Sequence, residues 1–288
     1  MAVRWGLWLL GFVALVAAAA PAALYVASEA VLHHHYPLPR FQPISKSGPD
    51  GVARGQRLAI IYGCTDCHGD DLRGRDFPHP APFSEVHSAN LTLKARHYSD
   101  EDFARSIRQG LGPTGESVEF MPSPVFAHMS DPDVAAIVAY IRSLPSGGAD
   151  RPYWVLTWRA RWQLVHGDFP PGVALMAEAA RQTPANLGPK YAQGRYLVSV
   201  TCVECHGPTL KGQPGGPPDL TIAGAYGPAD FARLMKTGVA AGGRQVGMMS
   251  AVARKRFSHF TDDEVAAIRG YLAARAQAET EKPKATPG

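Results

Sequence analysis

Two short stretches decide the reading of this chain: Cys64-Thr65-Asp66-Cys67-His68 and Cys202-Val203-Glu204-Cys205-His206. They hold all four cysteines of the 288 residues. Cys-x-x-Cys-His is the spacing of covalent c-type haem attachment. On one helical turn the two thiols reach the two vinyl groups of a haem, and the adjacent imidazole comes to lie under the iron. Zinc sites and thiol-disulfide pairs also use Cys-x-x-Cys, so one copy alone leaves those readings open.

The flanks of the two motifs repeat as well. Gly55-Gln56-Arg57-Leu58 matches Gly194-Arg195-Tyr196-Leu197, and Leu72 and Gly74 match Leu210 and Gly212 at the same offsets after the histidine. Tyr98-Ser99-Asp100-Glu101-Asp102-Phe103 predicts a helix capped by Ser99, with Asp102 completing the capping box and Tyr98 stapled onto Phe103. Its twin is Tyr226-Gly227-Pro228-Ala229-Asp230-Phe231, with Gly227 as cap and proline at the first helical position. Both helices are expected to stop at a glycine, Gly110 and Gly238. Capping boxes at Ser130–Asp133 and Thr261–Glu264 open a closing helix in each copy, and Val134, Ile137, Val138 and Ile141 give its buried stripe. The chain therefore carries an internal repeat.

Composition narrows the rest. Hydrophobic residues are 45% and charged residues 19%, enough for packed cores, while 29 Gly and 25 Pro call for many turns between short elements. A net charge of +4 without a basic tract of five or more residues argues against a nucleic-acid partner. Trp5 to Ala27 is an uncharged run of 23 residues, about 34 Å as a helix, sufficient to cross a bilayer. Arg4 before it and Glu29 after it orient the rest of the chain to the exported side. Ala18-Ala19-Ala20 would also suit a cleaved signal peptide, but the apolar run is longer than such peptides use. His33, His34 and His35 read as a solvated juxtamembrane stretch. Pro37, Pro39, Pro43 and Pro49 make residues 36–50 an extended tether.

Both copies resemble class I cytochrome c domains, and the whole chain is similar to membrane-anchored dihaem cytochromes c, including the cytochrome subunits of periplasmic alcohol, aldehyde and sugar-acid dehydrogenases. Those subunits usually carry three modules, and this chain carries two. A dihaem subunit of a terminal oxidase is the nearest neighbouring family. The resemblance implies an all-α fold in which an N-terminal transmembrane helix precedes two class I cytochrome c domains in tandem. The expected division is an anchor over 1–28, a Pro-rich tether over 29–50, domain one over 51–145, a linker over 146–189, domain two over 190–276 and a disordered tail over 277–288. Within the linker, Tyr153 to His166 has no Gly or Pro and is expected to be helical, with Trp154, Trp158 and Trp162 near one face. That helix suits packing against the modules, partner docking or a membrane interface. A short helix is expected around Val173 to Arg181.

The expected cofactors are two covalently bound haem c groups, held by Cys64, Cys67 and His68 and by Cys202, Cys205 and His206. As distal iron ligands, domain one offers Met121 and Met129. Met129 sits where Phe260 sits in domain two, before the capping residue of the closing helix, so that position is read as packing and Met121 as the ligand. Met248 and Met249, on the loop after Gly247, are the candidates in domain two, and the resemblance favours Met249. His/Met ligation leaves no open position on iron. The resemblance thus implies a single-electron carrier at the inner membrane, facing the periplasm. It would serve redox protein partners, a dehydrogenase subunit or terminal oxidase, with no small-molecule substrate of its own. The enzyme alternative is a dihaem peroxidase, for which His79, His87, His97 or His128 would supply the distal acid-base group.

Overall fold

The computed structural model describes residues 2–40, 44, 46–77, 83–151, 153–179 and 181–281. His79, Pro43 and the stretch 282–288 lie outside them. Helices dominate, in the order the repeat predicts.

Helix α1 (Ala2–Leu32) carries an apolar span, Leu10–Leu32, with mean hydropathy 2.1. It runs past the expected anchor edge at residue 28, because Glu29 pairs with His33 one turn on, at 3.2 Å, and Ala30 and Leu32 favour helix. The tether is not free-standing either. Tyr36 N–H donates to Gly115 O at 2.8 Å and His35 Nδ1 to Thr114 O at 2.9 Å, which lays its start against the first repeat.

The first repeat comprises α2 (Gly51–Ile61), α3 (Cys64–His68), α4 (Leu91–Lys94), α5 (Asp100–Gln109), α6 (Ser123–Phe126) and α7 (Asp131–Ser143). The connector holds α8 (Trp158–His166) and α9 (Met176–Ala179), the latter after a 3-10 turn at Gly172–Leu175. The second repeat comprises α10 (Ala192–Thr201), α11 (Val203–His206), α12 (Pro228–Thr237), α13 (Met248–Lys255) and α14 (Asp262–Glu281). The closing helix α14 thus continues past the expected edge at 276, into residues read from sequence as a disordered tail. Its Gln277-Ala278-Glu279-Thr280-Glu281 end is stitched by a side-chain bond from Gln277 to Glu281 at 2.9 Å.

The expected caps form with one exception: Ser130 Oγ accepts from Asp133 N–H, but the box does not close, because the Asp133 carboxylate serves Arg54, Tyr62 and Tyr196 and Ser130 N–H donates to the Tyr196 hydroxyl. Ser99 and Asp102 make a reciprocal capping box, and Thr261 and Glu264 another. Gly110 and Gly238 end α5 and α12 in the left-handed conformation. Tyr98 meets Phe103 at 5.4 Å between ring centroids, and Tyr226 meets Phe231 at 6.5 Å.

The repeated glycines explain the packing of each unit. A Cβ on Gly55 would stand 1.9 Å from Ala136 O, and one on Gly194 2.1 Å from Ala267 O. The first and closing helices of each repeat therefore cross in backbone contact, which only glycine permits. Leu72 and Leu210 both take left-handed backbone, φ 56° and 62°, with fully buried side chains. Such strain in a non-glycine residue needs burial to hold it, and the repeat preserves it.

A small antiparallel sheet interrupts the helical order: β1 (Asp76–Phe77), β2 (Phe83–His87) and β3 (Trp154–Leu156), paired in that order. The expected helix over 153–166 is accordingly split. Trp154-Val155-Leu156, rich in strand formers, pairs with β2, and Thr157 then caps α8 through Ala160 N–H. Trp154 consequently leaves the face of Trp158 and Trp162 and packs on Phe120 and Phe169.

The two repeats share one buried cluster, and their contact is near-symmetric. Arg57 of repeat one makes a bidentate pair with Glu264 at 2.7 and 3.0 Å. Tyr196, at the position equivalent to Arg57, donates to Asp133, at the position equivalent to Glu264. Each repeat thus presents the same helix position to the same N-terminal turn of the other, the pattern of an isologous interface. Asp133 is nearly inaccessible, yet satisfied by Arg54, Tyr62 and Tyr196.

Candidate functional site

A cavity open to solvent at its mouth lies inside the first repeat. Its lining includes Cys64, Cys67, His68 and Met121, with an apolar wall from Leu72, Phe103, Phe126, Ile137 and Ile141. Gly63, at φ 78°, turns the chain from α2 directly into α3. Both thiols and the imidazole are thereby delivered to one side of the closing helix.

His68 is held in one tautomer. Its Nδ1 donates to Ala89 O at 2.8 Å, and burial, outweighing that bond, pushes its pKa down. The neutral ring therefore keeps Nε2 as a lone pair, the state a metal-ligating imidazole requires. The second repeat copies the device: His206 Nδ1 donates to Pro218 O at 2.8 Å. The supporting loops are also copies. Gly74 N–H and Gly212 N–H each donate to the preceding histidine carbonyl at 2.8 Å, while Leu91 and Leu220 N–H each bond to Leu72 and Leu210 O at 2.9 Å.

Burial pushes the Cys64 thiol up to about 12 and the Cys202 thiol up to about 11. Thiols whose pKa is raised this far are little ionised at neutral pH and poor exchange nucleophiles, which counts against a redox dithiol. Among the described residues no group of three or more His, Cys, Asp or Glu side chains is gathered as a metal cage, which counts against zinc. A cavity with an apolar wall, two thiols, a tautomer-locked imidazole and a thioether on its lining fit haem c.

The methionines separate by environment. Met121 lines the cavity, whereas Met129 is 3% exposed in the core, in the same cluster as Val134. Met248 is 77% exposed, and Met249 packs half-buried against the core. Both start helix α13, after Gly247 at φ 58°, rather than lying on an open loop.

Of the histidines nominated as distal acid-base groups, His87 lines the cavity, but both ring nitrogens are engaged, Nδ1 with Asp76 at 2.8 Å and Nε2 with Glu85 at 3.1 Å. His97 and His128 are exposed and do not line it.

One functional residue escapes sequence reasoning. Arg256, from the second repeat, reaches the lining of the first cavity together with Glu204. Its guanidinium bonds Asp66, inside the first Cys-x-x-Cys, and Glu204, inside the second, at 2.8 Å for Glu204. A Cβ on Gly63 would stand 2.4 Å from its Cζ, so a glycine before Cys64 leaves room for the guanidinium. Lys255 adds a second cation to Asp66 at 2.7 Å. Burial alone would raise the Asp66 carboxyl, but the hydrogen bonds from Lys255 and Arg256 outweigh it and hold it below the usual range. The only hint in sequence is the cluster Arg254-Lys255-Arg256, whose target depends on how the repeats dock.

Two tandem units, each a glycine-crossed pair of helices around a Cys-x-x-Cys-His turn, define a c-type cytochrome. The family model for cytochrome c matches residues 52–145 and again 191–275, and the chain belongs to the cytochrome c family. It is 26% identical over 265 residues to the gluconate 2-dehydrogenase cytochrome c subunit of Pantoea cypripedii, covering 77% of this chain and 58% of that protein. It is likewise 26% identical over 270 residues to the fructose dehydrogenase cytochrome subunit of Gluconobacter japonicus, covering 80% and 53%. A shorter match, 33% over 96 residues, is to the Cbb3-type cytochrome c oxidase subunit CcoP of Helicobacter pylori (strain 52), covering 33% and 29%. The chain spans little more than half the length of the dehydrogenase subunits it matches. A cytochrome c of this kind transfers electrons.

Proposed function

We propose that this chain is a membrane-anchored, periplasm-facing dihaem carrier that takes single electrons from a dehydrogenase or quinol-side donor and delivers them to a respiratory acceptor. The observation that carries the reading is the duplicated site: two half-buried thiol pairs, each beside an imidazole whose Nδ1 is tied to a backbone carbonyl. Haem c, when bound, supplies reversible one-electron iron chemistry. Cys64 and Cys67 would hold one group by thioether bonds and Cys202 and Cys205 the other. His68 and His206 would present Nε2 to the metal, and the Ala89 and Pro218 carbonyls keep those rings from turning. Met121 and Met249 would supply the remaining ligands. The apolar wall around Phe103 and Ile137 excludes water. Domains over 51–145 and 190–276, joined by the 146–189 connector, are the working units, and the anchor over 1–28 with the 29–50 tether holds them to the inner membrane.

The engaged ring nitrogens of His87 favour a carrier over a peroxidase. Peroxide added to the reduced protein is expected to produce no enzyme-like turnover. Turnover at enzyme-like rates would favour the peroxidase. Copurification of the native chain from membranes with a dehydrogenase or oxidase subunit tests the choice of partner.

Charge steering gives a further expected result. Residues 51–145 carry 9 basic and 12 acidic side chains, a net of −3, and residues 190–276 carry 11 and 6, a net of +5. Part of this contrast is spent internally, through Lys255 and Arg256 on Asp66. The remainder is expected to draw different partners to the two domains, with transfer rates that fall as salt screens it. Stopped-flow rates that do not move with ionic strength, for donor and acceptor alike, would remove this element.

A further inference from the structure

Helix α8 packs on the far end of α1 rather than on either haem domain's core. Arg161 makes the joint. Its guanidinium bonds Ser28 Oγ at 2.6 Å and Glu29 Oε1 at 2.7 Å and lies 4.3 Å from the Tyr25 ring centroid. Ala160 and Leu164 are buried beneath the helix, which leaves Trp158 57% exposed and Trp162 54% exposed on its outer face, with Val165 beside them. No acidic residue occurs between Trp158 and His166, and Arg159 is exposed next to the tryptophans.

Depth identifies what this face meets. Glu29 is the first charge after the uncharged run from Trp5 to Ala27, which at about 1.5 Å per residue fills a hydrocarbon layer of ~30 Å. Tyr25, Ser28 and Glu29 therefore mark the level where hydrocarbon gives way to headgroups, and a helix fastened to them lies at that level too. Large amphipathic rings flanked by arginine are what that layer accommodates. We infer that α8 is an interfacial helix, its Trp158 and Trp162 seated among phospholipid headgroups and Arg159 beside their phosphates. It would hold the first haem domain against the bilayer. The inference rests on the reading of α1 as a membrane anchor.

The full holoprotein, labelled with 5-fluorotryptophan, reduced and placed in nanodiscs of phosphatidylcholine and phosphatidylglycerol, tests this by fluorine NMR, with resonances assigned by single Trp→Phe variants. Lipid doxyl-labelled at carbon 5 is expected to broaden Trp158 and Trp162 at least twofold. Trp8, inside the apolar run, is the internal control for the anchor. Broadening of Trp8 by lipid, with Trp158 and Trp162 broadened only by a water-soluble gadolinium chelate, overturns the interfacial helix, keeps the anchor and leaves the face to a protein partner. Absence of lipid broadening at Trp8 as well overturns both.

Discussion

Met121→Ala is expected to abolish the methionine-to-iron charge-transfer band of one haem and to lower its potential by on the order of 0.2 V, a fraction of the ~0.8 V that axial ligands span. Met129→Leu is expected to leave band and potential in place and to cost about 1 kcal/mol of stability, as volume-conserving core swaps do. The contrast follows from where the two side chains lie. Met121 faces the cavity that also receives His68, whereas Met129 is enclosed among core residues before the first turn of α7. The same logic separates Met249→Ala, which should remove the second band, from Met248→Ala, which alters a side chain already in solvent. Potentiometric titration of the four variants, followed in the visible spectrum, reads all of these effects. Retention of both bands in Met121→Ala would send the assignment back to Met129.

Arg256→Met is expected to loosen the joint between the haem domains by about 2 kcal/mol. Deleting one member of a buried ion pair costs ~3–5 kcal/mol; the value here is lower because the cluster is part-exposed and Lys255 still serves Asp66. The substitution leaves the carboxylates of Asp66 and Glu204 without the cation between them, beside both attachment motifs. Calorimetry should show the unfolding transition shifting down and splitting, since the repeats otherwise share one core. The acid limb of stability should shift as well. A carboxyl whose folded pKa is depressed contributes stability that is fully present above its unfolded pKa, near 4, and is lost as pH falls through the folded value. Asp66 is depressed, so the wild-type joint should weaken below about pH 4, and Arg256→Met should flatten that dependence. An unchanged transition and acid limb would mean that the Arg256 bridge contributes nothing to docking.

Much of this architecture is legible in sequence because its determinants are local. The Cys-x-x-Cys-His turns, the Ser99 and Thr261 capping boxes, the Gly110 and Gly238 stops and the paired Gly55 and Gly194 each act within a few residues or through a repeated pattern. What escaped depends on distant partners. Trp154-Val155-Leu156 reads as the start of a helix until β2, far earlier in the chain, offers a strand edge. Asp133 reads as the closing member of a capping box, yet its carboxylate accepts instead from Tyr62 and, across the domain joint, from Tyr196. Arg256 reads as one of three surface cations until docking sets it between Asp66 and Glu204. The start of α13 escaped for a different reason: Gly247 suggests a loop, but its positive φ launches a helix from Met248 onward.

The most direct test of the central claim is a spectroelectrochemical titration of the purified full-length chain, normalised to covalent haem by pyridine haemochrome. Two haems per polypeptide, both six-coordinate and low-spin, and two one-electron waves are the predicted result. One haem per polypeptide, or a high-spin component with an open iron position, would contradict it.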